Sequence, residues 1–133
     1  MEILRTADFL RRRFAAILEP HGLTGQQYNV LRILRGARPD PLPTMEIAAR
    51  MIEKTPAITG LIDRLVAKGL VERRQRADDR RCVLCSITPA GLDLLAELDA
   101  PIGEADEAAL AAISEEDAEG LTDLLATVRK AES

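Results

Sequence analysis

Aromatic side chains are nearly missing from this chain. Its 133 residues include two Phe, one Tyr and no Trp. A core must therefore be built from Leu, Ile, Val and Ala, and the 47% of hydrophobic residues is enough for one domain. This composition favours helices over a β-sandwich, because strands are enriched in aromatic and β-branched residues.

Cysteine and histidine are also scarce. Cys82 and Cys85 are the only cysteines, and His21 is the only histidine. Two thiols three residues apart in a strand-like run support neither a disulfide framework nor a four-ligand zinc site. We expect one cysteine to pack inward, the other to be half exposed, and His21 to be a solvated loop residue.

Catalytic and membrane signatures are missing as well. The chain has no Ser/His/Asp set, no phosphate-binding loop and no metal-ligand spacing, so we expect no enzyme activity and no cofactor. The N-terminal segment is charged and helix-periodic, without an apolar run long enough for a signal peptide or a membrane span. The sequence therefore predicts a cytoplasmic protein.

Charge is unevenly distributed along the chain. The net charge of −4 by itself argues against a nucleic-acid partner. However, residues 1–49 carry 7 basic and 5 acidic side chains, residues 50–92 carry 9 and 5, and residues 93–133 carry 2 and 12. The middle of the chain is thus basic, whereas the acidic end is unsuited to phosphate and is expected to pack against something else.

The densest positive charge lies in residues 69–81, GLVERRQRADDRR, where five of the last nine residues are arginines. This stretch separates a helical pattern ending at Lys68 from a strand-like run, Cys82 to Ile87, which predicts a two-stranded wing. An Arg-rich hairpin tip is suited to follow a phosphate backbone and insert a guanidinium into the minor groove. The alternative is a solvated hairpin whose Asp and Arg side chains pair with one another.

Helix-start signals divide the first part of the chain. Residues 3–18 form one apolar helical stripe, which ends before Gly22. Thr24 and Gln27 form a capping box, so a second helix is expected from about Gly25.

Two short helices are predicted after a proline-rich break. Thr44 is expected to cap the third helix, which runs through about Met51. Thr55 as N-cap and Pro56 at the first helical position open the fourth, which Gly69 ends. Two short helices joined by a tight connection and followed by a hairpin make a winged helix-turn-helix.

The fourth helix carries the candidates for facing a DNA groove. Its apolar stripe leaves six residues outside: Ala57, Thr59, Gly60, Asp63, Arg64 and Lys68. Thr59 can reach a base edge or a phosphate, and Arg64 can contact a phosphate or read guanine. The N-terminus at Thr55 offers backbone N–H groups to a phosphate. The alternatives are that Arg64 pairs with a carboxylate and that Thr59 is solvated.

The C-terminal third predicts two more helices. Thr88 and Pro89 repeat the N-cap and N1 signature, and Pro101 is expected to kink the helix that follows. Ser114 and Asp117 form a second capping box. The first and the last two helices carry apolar faces that the DNA-binding lobe would not cover. A second copy would cover them, and a two-fold dimer presents two recognition helices about 34 Å apart.

Five sequence blocks carry a family likeness: LTGQQYNVLRIL, MEIAARM, TPAITGLIDRLVAKGLVERR, DDRRCVLCSITPAGLDLL and ISEEDAEGLTDLL. In this order they resemble the MarR family of bacterial transcriptional regulators, over nearly the whole chain. The resemblance implies an obligate homodimer, built from the N- and C-terminal helices, that binds an operator and usually represses. It also implies that Asp79, Arg80 and Arg81 shape the wing, with an Arg entering the minor groove and Asp79 orienting an Arg.

The chain departs from the family pattern in three places. Gly60 stands where many members carry a longer polar side chain, which predicts thinner base readout or a closer approach of the backbone to DNA. Arg76 and Ala77 stand where an Asp-Pro pair is common. The N-terminal helix lacks the reactive cysteine of peroxide-sensing members, and one histidine does not match the zinc-sensing members.

The resemblance further implies a small aromatic or phenolic ligand in a cleft between the dimer helices and the DNA-binding lobe. Arg11, Arg12, Arg13 and Tyr28 lie near the junction of the first two helices, and Arg13 and Tyr28 are the effector candidates. The alternative is surface charge for the arginines and a helix staple for Tyr28. An effector acts only through different affinities for two dimer geometries.

The predicted fold is mainly α with a small β-hairpin wing, a winged helix-turn-helix with N- and C-terminal dimerisation helices. Residues 1–22 and 89–133 are assigned to dimerisation and residues 23–88 to the DNA-binding lobe, within one intertwined domain.

The predicted function is a DNA-binding homodimeric repressor. A protein-interaction module without DNA binding, and a thiol- or metal-responsive regulator using Cys82 and Cys85, are the alternatives. The predicted DNA contacts are Thr44, Thr55, Pro56, Ala57, Thr59, Gly60, Arg64, Lys68, Arg74, Arg76, Arg80 and Arg81.

Overall fold

The computed structural model describes residues 1–132 and has the predicted fold class, mainly helical with a small antiparallel sheet. The six helices are α1 (Glu2–Leu18), α2 (Gly25–Ala37), α3 (Thr44–Arg50), α4 (Ile58–Ala67), α5 (Pro89–Leu110) and α6 (Glu115–Arg129). The three strands are β1 (Leu42–Pro43), β2 (Val71–Gln75) and β3 (Val83–Ile87). Short 3-10 turns cover Glu19–His21 and Lys130–Glu132.

Side-chain caps begin three of the helices where the sequence predicts them. The Thr24 hydroxyl accepts from the Gln27 N–H at 3.1 Å, and the Gln27 side chain accepts from the Thr24 N–H at 3.0 Å, so the predicted capping box is confirmed. Thr88 caps α5, and Ser114 caps α6 by accepting from the N–H of Asp117 at 3.0 Å. Each cap satisfies a backbone donor that the helix cannot satisfy itself.

The predicted starts of the third and fourth helices are wrong by a few residues. Thr44 is the first residue of α3, and Pro43 occupies the N-cap. The hydroxyl of Thr55 accepts from the N–H of Ala57 at 3.1 Å, which makes a local turn, and α4 begins only at Ile58. A Thr side chain can form such a turn as readily as it caps a helix, so the local pattern does not choose between them.

The sheet contains one strand, β1, that the sequence does not predict. Its strand order is β1-β3-β2, all antiparallel, and Leu42 pairs with Cys85 in the added edge. The proline-rich break predicts only a loop, because Pro is depleted in strands. A two-residue edge strand nevertheless accepts Pro43, since an edge residue need not donate to the ladder.

The core lies where the end of α1, the helices α2, α3 and α4, the sheet and the first half of α5 meet. Its fully buried side chains are mainly aliphatic, as the composition predicts: Leu18, Val30, Leu31, Leu34, Ile47, Ile62, Leu65, Leu95 and Leu98. Cys85 joins them and Cys82 is half buried, so the prediction for the two thiols is confirmed. Burial raises the pKa of the Cys85 thiol, which keeps it protonated.

The terminal helices leave apolar side chains exposed. α5 continues through Pro101 to Leu110, and within residues 1–132 none of the α6 residues is buried. Exposed large hydrophobic residues are concentrated on α1, at the end of α5 and on α6: Ile3, Leu4, Phe9, Leu110, Ile113, Leu121, Leu124 and Val128. Among the described residues, no helix is both long and apolar enough to cross a membrane.

Candidate nucleic-acid interface

One face of α4 is buried and the other is polar and open. Ile58, Leu61, Ile62 and Leu65 are buried, as predicted. Because they recur at helical spacing, Thr59, Gly60, Asp63 and Arg64 lie on the outside and are exposed. A Cβ added at Gly60 would meet no heavy atom of the described residues within 4 Å.

The N-terminus of α4 faces outward without a capping side chain. Ala57, which has no side-chain acceptor, occupies the N-cap, and both Pro56 and Ala57 are exposed. The first backbone N–H groups of a helix have no partner inside the helix, and the helix dipole places partial positive charge there. This end of α4 is therefore chemically suited to a phosphate.

The wing is β2, β3 and the turn between them. Arg73 pairs with Cys85 and Arg74 with Leu84 in the β2–β3 ladder. At the tip, the Arg76 guanidinium donates to both carboxylate oxygens of Asp78, at 2.9 and 2.7 Å. The hydrogen bond from Arg76 lowers the pKa of Asp78, and its counterpart raises the pKa of Arg76. This part of the alternative, an Arg–Asp pair within the hairpin, is present.

Asp79 orders the backbone that carries Arg81. One Asp79 carboxylate oxygen accepts from the Arg81 N–H at 3.1 Å and from its Nε at 3.4 Å. The Arg81 side chain nevertheless stays 94% exposed, and Arg80 is exposed beside it. The arrangement agrees with an Asp that orients an Arg rather than with an Asp that faces a phosphate.

A contact between α4 and β2 was not predicted from the sequence. The guanidinium of Arg73 donates to the carboxylate of Asp63, which fastens the wing to α4. The sequence places Asp63 outside the apolar stripe of α4 and Arg73 among the arginines of the hairpin. The two side chains meet because the chain turns at Gly69 and β2 packs against α4. The spacing of the residues in the sequence does not predict this contact.

Between α3, α4 and the wing lies a cleft of about 520 Å³. Three predicted contact residues from three elements line it, namely Thr44, Thr59 and Arg81. Met45 and Arg73 line it as well. The fold thus brings together side chains that are up to 37 positions apart in the sequence.

Comparison with known proteins identifies the family of this chain. The MarR family model matches residues 23–83. A solved MarR transcription factor from Planctomyces limnophilus is 36% identical, covers 94% of this chain and 90% of its own, and superposes with a TM-score of 0.74. The chain belongs to the MarR family. It is therefore a transcriptional regulator with the winged-helix fold of that family.

Two Escherichia coli proteins are also similar to this chain. The homoprotocatechuate degradative operon repressor is 30% identical over 123 residues, which are 92% of this chain and 82% of that protein. A mutant of MarR complexed with operator DNA is 26% identical, covers 95% of this chain and 89% of its own, and has a TM-score of 0.86.

Lys68, one of the predicted DNA contacts, also has hydrogen-bond partners within the chain. It is the C-cap of α4, and its ammonium donates to the carbonyl of Gly22 and lies 3.5 Å from the Gln27 side-chain oxygen. Gly22 has a φ of 69°, a left-handed conformation that glycine adopts without strain. Lys68 therefore fastens the turn between α1 and α2 to the end of α4.

The effector candidates of the family likeness already have partners within the chain. Arg13 lies over the Phe9 ring at 6.0 Å, and Tyr28 accepts a hydrogen bond from Arg32 at 3.4 Å. Arg12 pairs with Asp8 at 3.0 Å. His21 lies in the 3-10 turn after α1, with one third of its side chain exposed and its Nδ1 3.9 Å from Glu97.

Proposed function

We propose that this MarR-family regulator binds operator DNA as a homodimer and represses transcription until a small molecule releases it. The observation that carries the proposal is the single surface formed by the open face of α4, its uncapped N-terminus and the exposed Arg80 and Arg81. Each of these features is suited to a different part of a DNA duplex.

In the proposed complex, α4 enters the major groove. Thr59 and Arg64 approach base edges or phosphates, and the N-terminal turn at Thr55 to Ala57 approaches the backbone. Gly60 permits the helix backbone to come closer to the DNA than a longer side chain would. The lining of the cleft by Thr44 and Thr59 supports a role for both residues.

The wing lies along the adjacent minor groove in this proposal. Arg81 has the freest guanidinium of the pairs described at the wing, and the narrow minor groove has a negative potential that attracts it. Arg74, Arg76 and Arg80 add positive charge along the same hairpin, although Arg76 must share its charge with Asp78. Lys68 donates to the Gly22 carbonyl, and its ammonium has further N–H donors for a phosphate.

The proposed dimer is built from α1, α5 and α6. Their exposed Leu, Ile, Phe and Val side chains form the kind of apolar surface that a soluble protein covers with a partner. A second copy is the simplest partner, because a two-fold axis pairs each terminal face with itself. The same axis places two copies of α4 about 34 Å apart, one helical turn of DNA.

Repression is supported by a relative, and release by a small molecule would follow thermodynamic linkage. A 30%-identical relative is an operon repressor. The proposed effector is a small aromatic or phenolic anion held near Arg13 and Tyr28, which prefers a dimer whose α4 helices are wrongly spaced. A coupling of about 1–3 kcal/mol would relieve repression by roughly 5- to 150-fold. These events would take place in the cytoplasm.

The experiment that tests the proposal is selection from a random duplex library at two salt concentrations, followed by sequencing of the bound fraction. The expected result is a pseudo-palindrome with half-sites about 10 base pairs apart, bound more weakly at high salt. Enrichment of no sequence by a dimeric preparation, before and after dialysis against a buffer without aromatic compounds, would contradict the proposal and favour a protein-interaction module.

A further inference from the structure

The segment between α3 and α4 decides how α4 is presented. Residues 51–57 contain no regular helix or strand, and Ile52 within them is 86% exposed. The buried side chains at its two ends, Met51 and Ile58, fix where the segment starts and stops. Packing therefore anchors the ends of the segment, and polar contacts must position the backbone between them.

Two such contacts come from outside the segment. The Asn29 side-chain oxygen on α2 accepts from the N–H of Ile52 at 2.8 Å. The Arg11 guanidinium on α1 meets the Glu53 carboxylate at 2.9 Å. The ion pair between Arg11 and Glu53 connects two parts of the protein with different proposed roles. Arg11 lies on α1, one of the terminal helices proposed to form the dimer, and Glu53 lies in the segment before α4.

We propose that Arg11 and Asn29 are positioning residues for DNA recognition, which seat α4 by holding the α3–α4 turn at Glu53 and Ile52. Arg11 thereby joins the terminal-helix layer directly to the DNA-reading element. The inference rests on the proposed function, since it describes how the proposed operator contacts of α4 are kept in register. Hydrogen bonds to bases tolerate little misplacement, so a loosened turn would weaken binding.

The contact between Arg11 and Glu53 is suited to positioning rather than to stability. The side chains of Arg11 and Glu53 are 59% and 47% exposed, and ion pairs with this much solvent contribute little to folding. Its loss should therefore change operator affinity more than the midpoint of unfolding. Glu53→Gln distinguishes positioning from general electrostatics by the direction of the change in operator affinity. Removing an acidic charge near DNA should strengthen binding by electrostatics alone, whereas loss of positioning should weaken it.

The first test is a double-mutant cycle of Arg11→Gln and Glu53→Gln, measured on the operator selected with the wild-type chain. We expect each single variant to bind about 2- to 5-fold more weakly, and the double variant no more weakly than the weaker single one. The salt slope should stay unchanged for Glu53→Gln, since the number of phosphate contacts is the same. Stronger binding by Glu53→Gln, or additive effects in the cycle, would overturn the inference.

A matched control is available on the same helix. Arg12 and Asp8 form an ion pair within α1 at 3.0 Å, with side chains 77% and 57% exposed. The cycle of Arg12→Gln and Asp8→Asn removes the same charges without touching the α3–α4 turn. It should show no coupling in operator affinity, and a coupling equal to that of the Arg11 cycle would show that the effect is general electrostatics.

The second test separates the acceptor on Asn29 from the packing of its side chain. Asn29→Leu has a similar size but leaves the Ile52 N–H without its acceptor, and we expect weaker operator binding with an unchanged salt slope. Asn29→Asp restores the acceptor and should recover most of the affinity, despite its negative charge. Equal losses in both variants would overturn the role of Asn29. If the wild-type chain selects no operator, the proposed function fails; if it does and the cycle is additive, only this inference fails.

Discussion

Gly60 combines a cost in stability with a possible gain in recognition. It is the third residue of α4 and lies on the exposed face, where glycine costs up to about 1 kcal/mol relative to alanine. Its left-handed freedom is not used, because its backbone is helical. The remaining physical reason for glycine is the missing Cβ, which lets the helix approach a ligand closely.

The variant Gly60→Ala should therefore change stability and binding in opposite directions. We expect the free energy of unfolding to rise by up to about 1 kcal/mol, because the new Cβ meets open space and favours the helix. Operator affinity should fall, because the methyl group would separate the helix from the DNA. Chemical unfolding and a binding titration measure the two effects, and a rise in both quantities would exclude close approach at this position.

Arg81 should contribute to binding through its charge at the wing. Replacing it in Arg81→Ala is expected to reduce the slope of log affinity against log salt by about 0.9 for one lost phosphate contact. The comparison variant is Arg12→Ala, which removes the same charge from α1 and should leave the slope nearly unchanged. A similar slope in both variants would show that the wing does not contact the backbone.

At the scale of elements, Gly91 shows how closely α5 approaches the wing. A Cβ at this position would lie 2.6 Å from the Leu70 carbonyl oxygen and 2.6 Å from Cγ1 of Ile87. The same turn is held by the Thr88 hydroxyl, which donates to the Gly69 carbonyl at 2.7 Å and accepts from the Gly91 N–H. The start of α5 and the base of the hairpin therefore form one packed unit.

Gly91→Ala is expected to lower the free energy of unfolding by about 1–3 kcal/mol, because backbone atoms cannot move aside for the methyl group. Urea unfolding measures the change. Gly36→Ala on α2 is the matched substitution, since a Cβ there meets none of the described residues within 4 Å, and it should not destabilise the protein. An equal loss in both variants would contradict the packing explanation.

The link between α2 and α5 gives the protein a pH-dependent contribution to stability. Arg35 donates to both carboxylate oxygens of Asp99 at 3.0 Å, and this hydrogen bonding lowers the pKa of Asp99. A carboxyl whose pKa is lowered by folding stabilises the protein above its ordinary value of 3.8. That contribution is lost as the pH falls through the lowered value.

Asp99→Asn should therefore reduce stability at neutral pH but not in acid. Because half of the Asp99 side chain is exposed, we expect a loss of no more than about 1 kcal/mol at pH 7. The difference from the wild-type chain should shrink as the pH falls below 3.8, measured by urea unfolding at pH 7 and at successively lower pH values. A difference that stays constant with pH would show that the ion pair does not stabilise the fold.

At the scale of the whole molecule, the terminal helices and the DNA-reading lobe have different surfaces. The lobe shares a buried core with the end of α1 and the first half of α5, whereas α6 keeps Leu121, Leu124 and Val128 exposed. The acidic charge of residues 93–133 also keeps this region away from DNA phosphates. Both features agree with a division between binding DNA and binding a second copy.

Leu124→Glu should convert the proposed dimer into a monomer. The new charge would have to be buried at the interface, so sedimentation equilibrium is expected to show a mass near 14.5 kDa instead of twice that value. Operator affinity should fall with it, because only one α4 would remain per particle. Ile52→Glu, an equally polar change outside the terminal helices, should leave the mass of the dimer unchanged. A wild-type monomer, or a dimeric Leu124→Glu variant, would contradict the prediction.

Much of the fold follows from local chemistry. A cap such as Thr24 with Gln27 or Thr88 with Gly91 needs only residues three positions apart, and α4 ends at a left-handed Gly69 with a φ of 76°. The buried faces follow equally well, because apolar residues at helical spacing must turn inward together. The sequence therefore determined the order of the helices, the wing and the open face of α4.

The tertiary structure decided which charged side chains are held by distant partners within the chain and which stay exposed to solvent. Arg73 is held by Asp63, Lys68 by the Gly22 carbonyl and Arg11 by Glu53, whereas Arg81 stays open. It also decided that Leu42 forms an edge strand beside Cys85. These partners lie 10 to 46 positions apart in the sequence, and composition or spacing carries no signal for contacts that exist only after the elements pack.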